Sequence, residues 1–199
     1  TDGGASGSVV YGNGVAWNGL TSVTQSPEGA EPSAVYADNI KYLSLLSVEE
    51  FNATIEAYTY PDEFAACDGS ASLGDGVTID QQARKTFCLS YRTKIGNDVN
   101  SDLGYKIHII YGCLAAPSER AYETVNDSPE AMTLSWEIST TPVVVTGFKP
   151  TSHLVIDSTK VKPAALKAIE DALYGTESES AKILMPDEVA TLIKNSAGA

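Results

Sequence analysis

The strictest constraint on this fold is a two-residue period. From Met132 to Ser139 the chain alternates without a break: Met132, Leu134, Trp136 and Ile138 against Thr133, Ser135, Glu137 and Ser139. Successive side chains of a strand point to opposite faces, so this pattern demands a strand with one dry face and one wet face. A second segment, Glu50 to Tyr58, repeats it, with Phe51, Ala53, Ile55 and Ala57 against Glu50, Asn52, Thr54 and Glu56. Two such segments in one chain predict a mainly β protein with an antiparallel sheet.

Other strand signals follow from residue type. Val15 to Val23 mixes Val, Trp, Leu and Thr and runs into a turn at Pro27-Glu28-Gly29, and Val35 to Leu46 is rich in Tyr, Ile and Leu. Residues 84–95 and 105–114 read as a hairpin joined by the polar loop Gly96-Asn97-Asp98-Val99-Asn100-Ser101-Asp102-Leu103-Gly104. Pro142 limits the Met132 strand because it cannot donate to a ladder. Leu154 to Ile156 is a last short strand. Helix signals are fewer. Pro61-Asp62-Glu63 opens a short helix that Gly69 can stop. Pro163 opens a longer one, with Leu166, Ile169 and Leu173 on one face and Gly175 as terminator, and Pro186-Asp187-Glu188 opens a third carrying Val189, Leu192 and Ile193. The expected fold class is mainly β (α+β), a two-sheet antiparallel sandwich with a flanking helix. Residues 1–14, mostly Gly, Ser and Asp, are expected to be a flexible N-terminal arm. Residues 15–160 form the sandwich domain, and residues 161–199 a helical segment packed on it.

Composition narrows the function classes. The net charge is −13, and Lys and Arg are scattered, the densest group (Lys160, Lys162, Lys167) lying beside Glu170 and Asp171. Tight DNA binding calls for a basic patch, because phosphate neutralisation drives it. The longest apolar runs, such as Val143-Val144-Val145, are far shorter than the roughly 20 residues a membrane helix needs. The start, Thr1-Asp2-Gly3-Gly4, has neither the basic segment nor the apolar core of a signal peptide. Cys67, Cys88 and Cys113 are odd in number, fit no zinc or redox spacing, and are expected to be reduced.

No catalytic site, metal site or cofactor site is expected. His108 and His153 have no neighbouring ligand pattern, and His108, between Ile107 and Ile109, reads as structural. The loop from Asp98 opens like a calcium loop, but Leu103 stands where the turn glycine belongs and Ile109 where the bidentate Glu belongs. Gly12-Asn13-Gly14 is followed by Val-Ala-Trp, so it is no dinucleotide fingerprint. Acid pairs such as Glu49-Glu50 and Asp187-Glu188 leave a glycoside-type hydrolase as the remotest alternative.

Several blocks carry a resemblance. They are Gly14-Val-Ala-Trp-Asn-Gly-Leu-Thr-Ser-Val-Thr, Ser26-Pro-Glu-Gly-Ala-Glu-Pro, Tyr36-Ala-Asp-Asn-Ile-Lys-Tyr-Leu and Ala53-Thr-Ile-Glu-Ala-Tyr-Thr-Tyr-Pro-Asp-Glu-Phe. Further on come Gly104-Tyr-Lys-Ile-His and Asn126-Asp-Ser-Pro-Glu-Ala-Met-Thr-Leu-Ser-Trp-Glu-Ile-Ser-Thr-Thr-Pro-Val. In number and order these resemble the major tail proteins of long-tailed bacteriophages (siphophages), over Gly14 to Ser158. The resemblance implies a virion structural protein, a β-sandwich subunit without catalytic activity that self-assembles in the host cytoplasm into hexameric rings. The rings stack into the tail tube, the channel for genome ejection. The implied partners are further copies of the chain, a tape-measure protein in the lumen during assembly, tail terminator and baseplate or tip proteins at the ends, and DNA in transit without tight binding. No membrane insertion is implied.

Within that reading, the lumen-facing candidates are the polar rows Thr133, Ser135, Glu137, Ser139 and Glu50, Asn52, Thr54, Glu56. They are small, polar or acidic and never basic; the alternative is that they face the outside of the virion. The loop Gly96, Asn97, Asp98, Asn100, Asp102, Gly104 is the candidate assembly loop. The competing reading is a virion or cell-surface β-sandwich binding module, which would need exposed aromatics such as Tyr91, Tyr105 and Tyr111 around a concave site.

Overall fold

The computed structural model describes residues 11–29, 31–100, 102–120, 122, 124 and 131–196. In chain order the strands are β1 (Leu20–Glu28), β2 (Pro32–Ala37), β3 (Ile40–Leu46), β4 (Glu50–Ala57), β5 (Ala71–Gly74), β6 (Val77–Ile79), β7 (Phe87–Ile95), β8 (Gly104–Ala115), β9 (Leu134–Thr140) and β10 (His153–Asp157). The helices are α1 (Ala65–Asp68), entered through a 3-10 turn at Asp62–Phe64, then α2 (Pro163–Tyr174) and α3 (Pro186–Asn195). The protein is therefore mainly β, with antiparallel pairing and few helices. Two compact units share β8 between them: one holds residues 11–16, Phe87–Tyr111 and 143–196, the other Trp17–Thr86 and Gly112–Pro142.

In the unit containing β4 and β9, alternation translates directly into burial. Ala53, Ile55 and Ala57 of β4, and Leu134, Trp136 and Ile138 of β9, are all buried. Met132 is not part of this row; it precedes β9 and is exposed, because the ladder with β4 begins only at Leu134. β4 lies between β1 and β9, and the end of β8 extends the order through Leu114↔Ser139. Trp136 anchors an aromatic cluster with Trp17, Tyr60 and Phe64, with ring centroids 5.2–5.7 Å from its own. Its indole N–H donates to Asp68 Oδ1 at 2.9 Å, and Asp68, itself buried, is paired with Arg120 and, at 3.6 Å, with Arg84. Charge pairing offsets the cost of taking that carboxylate out of water.

Other strand boundaries also differ from the sequence reading: the strand expected over residues 84–95 begins only at Phe87. Val15 to Gly19 is not strand; β1 starts at Leu20 and runs through Pro27 to Glu28. Proline is tolerated there because β1 pairs with β4 alone among the described strands and so has an outer edge needing no donor. The run Val35 to Leu46 is two strands, not one. Asp38 and Asn39 both adopt positive φ (51° and 65°), the requirement of a tight hairpin turn, and fold β3 back on β2. The small hairpin of β5 and β6, turning at Asp75-Gly76, was not anticipated.

In the other unit, β8 up to Tyr111 pairs with β7 and β10. Ile107, Ile109 and Tyr111 of β8 join Ile156, Ile169, Leu173, Leu184 and Val189 in one buried cluster, with Leu166 partly buried against it. α2 spans the residues its helical spacing predicts and stops at Gly175. Tyr111 carries its hydroxyl into this core and satisfies it by donating to the Leu184 carbonyl at 2.7 Å. Desolvation pushes its pKa far above that of ordinary tyrosine. α3 starts with Pro186, and the Glu188 carboxylate accepts the Met185 backbone N–H at 2.8 Å.

Candidate functional site

Register assembles one polar face from three strands. Across β4 and β9, Asn52 lies opposite Ser139, Thr54 opposite Glu137 and Glu56 opposite Ser135. Across β4 and β1, Glu50 faces Glu28, Asn52 faces Ser26, Thr54 faces Thr24 and Glu56 faces Ser22. Directly paired residues share a sheet face, so the two rows singled out from sequence are one surface, joined by a third row from β1. Thr133 falls just before β9 and has no partner in this register. The β1 row is not legible in the sequence, because Ser22, Thr24, Ser26 and Glu28 straddle the turn that Pro27 predicts.

The chemistry of the face is narrow. It carries Glu28, Glu50, Glu56 and Glu137, hydroxyls and one amide, and no Lys or Arg. Ser22 donates to Glu56 Oε2 at 2.9 Å, holding that carboxylate across the strands. Glu28 and Glu50 stand directly opposite, an arrangement that disfavours the ladder rather than supporting it. Leu114, beside Ser139, is the apolar neighbour at the β8 margin.

The β2–β3 hairpin of the same unit has the opposite character. Tyr36 and Tyr42 are each 70% exposed, and Ile40, Leu43 and Leu45 are exposed with them. Lys41 is the one cation on these two strands. Among the described residues, β2 and β3 pair only with each other. An isolated two-stranded hairpin is marginally stable in water, and exposed apolar side chains of this kind gain free energy when covered. From sequence these residues read as one strand, Val35 to Leu46, with no sign of the hairpin.

The candidate assembly loop lies in the other unit and organises itself. Asn97 Oδ1 accepts the N–H groups of Val99 (3.0 Å) and Asn100 (2.7 Å), and Asn100 Oδ1 accepts that of Asp102 (3.0 Å). Gly104 takes φ 151°, and a Cβ there would meet Thr159 and Ser158. Gly96 and Asp98 complete the loop; Ser101 lies outside the described residues. Val99 stands at its tip almost fully exposed.

Possible ligand chemistry elsewhere is limited. Tyr111 is fully buried, Tyr105 donates to Glu170 at 2.6 Å, and Tyr91 lies parallel to the His108 ring, so these tyrosines do not gather at a common surface. Asp187 accepts the Thr146 backbone N–H and hydroxyl at 3.1 and 2.7 Å, which holds its pKa below the usual carboxylate range. Among the described residues, no three His, Cys, Asp or Glu side chains converge as a metal site requires, and no helix is long and apolar enough to cross a membrane. Compared with known proteins, the chain matches no family model, no curated protein and no solved structure.

Proposed function

We propose that this chain is the subunit of a bacteriophage tail tube, a β-sandwich protein assembling through copies of itself into stacked hexameric rings around a channel. The observation that carries the reading is the three-strand face of Glu, Ser, Thr and Asn without a basic residue. Set toward a lumen and repeated around a ring, it presents a belt of carboxylates to passing DNA. Lys or Arg in that place would neutralise phosphates, release counterions and hold the DNA. Carboxylates leave it hydrated and sliding, with a field reaching about 8 Å at physiological salt. The exposed β2–β3 hairpin supports the same reading from the other direction, since apolar surface of that extent is covered by association.

The reading is tested with the purified chain and with Glu137→Lys. Electron microscopy of the wild type should show rings or tubes. The variant, altered on a wet face, should still form them, but DNA ejection from phage carrying it should become slow and salt-sensitive. Normal tails with unchanged ejection would take Glu137 out of the lumen, and a strictly monomeric wild type at high concentration would refute the assembly.

A further inference from the structure

His108 and His153, far apart in sequence, meet on the face of the β7–β8–β10 sheet opposite the Ile107–Ile109 core. His108 Nδ1 lies 3.1 Å from His153 Nε2. The rings are 9° from parallel with centroids 5.3 Å apart. That separation exceeds the N···N distance by about two imidazole ring radii, which is possible only if both rings lie nearly in one plane, nitrogen to nitrogen. The contact is therefore an in-plane N–H···N hydrogen bond with a single proton between the rings. Thr93 Oγ1, 2.9 Å from His108 Nε2, extends the chain, and Tyr91 lies flat against His108 at 4.8 Å.

We propose that this pair is an acid-operated catch holding β10 to β8. In the neutral state one ring donates and the other accepts. A first added proton leaves the hydrogen bond intact, because one nitrogen of the facing pair still lacks a proton. A second puts N–H against N–H at 3.1 Å with two cations in contact, and the catch must open. Lys106, the cation on this face, opposes charging of the pair. On β8, Lys106 shares the His108 face; on β10, Asp157 stands opposite Lys106 in register; on β7, Tyr91 is the titratable neighbour. Burial, with Lys106 acting on His108 and His108 on His153, lowers both imidazole pKa values. Opening would act on β10, whose ladder is short: the bonds Tyr111 N–H to Ser152 O (2.8 Å) and Ser158 N–H to Tyr105 O (3.0 Å) fix the phase so that Leu154 and Ile156 turn their amides toward β8.

The catch is independent of the assembly reading and is tested on the intact chain. Nitrogen NMR of the imidazoles should resolve two protonation steps more than about one pH unit apart. Exchange protection of the Leu154 and Ile156 amides should fall about tenfold or more across the second step, while the Ile55 and Trp136 amides keep theirs. In His153→Gln, whose amide hydrogen-bonds without titrating, Leu154 and Ile156 should stay protected over the same range. Coincident steps, protection unchanged after both rings are charged, loss in parallel with Ile55 and Trp136, or the same acid loss in His153→Gln would each overturn the proposal. If His153→Gln does not fold, the wild-type titration and exchange decide alone.

Discussion

Ile169→Ala should remove a large share of the stability of the unit that contains α2. Ile169 is fully buried against strand residues Ile107, Ile109 and Tyr111 and helix residues including Leu173. The substitution deletes three carbons, about 0.8 kcal/mol each in transfer alone, or roughly 2.4 kcal/mol. The remaining cavity adds to this, because little around it can collapse: β8 is held by pairing on both sides, and Tyr111 is tied to the Leu184 carbonyl. A total of about 3–4 kcal/mol is expected, within the roughly 2–5 kcal/mol of comparable truncations. With a urea m-value of about 2 kcal/mol/M the midpoint moves down by about 1.5–2 M. The probe matters here. Trp17 and Trp136 both lie in the other unit, whereas α2 and α3 lie in this one, so far-UV circular dichroism should report the shift. Lys167→Ala, on the exposed side of α2 and paired with Asp171, is the control and should cost less than about 0.5 kcal/mol. An Ile169→Ala loss that small would mean that α2 does not pack through this face.

Asp68→Ala should cost about 1–3 kcal/mol by orphaning the buried Trp136 N–H, and Asp68→Asn less, since an amide oxygen can still accept; equal losses measured by Trp fluorescence in urea would remove the hydrogen bond from the account. Because folding lowers the pKa of both His108 and His153, their neutral forms belong to the folded state. Their stabilising contribution is complete above the ordinary imidazole value of about 6.5 and fades as pH falls below it toward the folded values. Urea midpoints at pH 7.5 and 5.5 should show this loss, and a higher midpoint at the lower pH would contradict the sign. Tyr36→Ser with Tyr42→Ser should leave the monomer's melting temperature nearly unchanged but abolish tubes in electron microscopy; normal tubes would exclude the hairpin from assembly. Thiol titration of denatured, unreduced protein should count three, from Cys67, Cys88 and Cys113, and a count of one would reveal a disulfide.

What could be read from the chain was whatever is local. The two-residue period of β4 and β9 and the Pro and Gly bounds of α2 each depend on neighbours within a few residues, and the structure reproduces them. The β2–β3 hairpin escaped because its turn is Asp38-Asn39 inside an apolar run, where neither glycine nor proline marks the reversal. The β5–β6 turn did carry a mark, Asp75-Gly76, but the flanking segments are too short to show a period. The polar face was half legible. Each row announced a wet side, while the fact that β1, β4 and β9 are neighbours is a long-range property that no local pattern contains. The His108–His153 contact is of the same kind: forty-five residues apart in the chain, the two meet because β10 returns to β8 with that register.

Two surfaces of one unit make opposite demands on their surroundings, and together they weigh the tail-tube reading against a binding module. The β2–β3 hairpin has exposed Tyr, Ile and Leu, so leaving it in water costs free energy that association recovers. The β1–β4–β9 face has carboxylates that would be costly to bury, and it places Glu28 against Glu50 with no cation in register to relieve them. An assembly that covers the first and leaves the second wet satisfies both, which is the arrangement of a channel wall. A ligand-binding module would instead gather aromatic and polar groups at one concave place. The tyrosines named for that role are committed otherwise, Tyr111 to the core, Tyr105 to Glu170 and Tyr91 to His108. On the tail-tube reading, the acidic face serves a purpose that sheet stability alone does not supply. Replacing Glu50 with Gln should make the isolated subunit slightly more stable, by a few tenths of a kcal/mol, because the repulsion across to Glu28 disappears. In a tube, the same change removes one carboxylate per subunit from the channel wall. A measured destabilisation by Glu50→Gln would mean that the carboxylate serves the fold, and the case for an acidic wall selected against its local cost would fail.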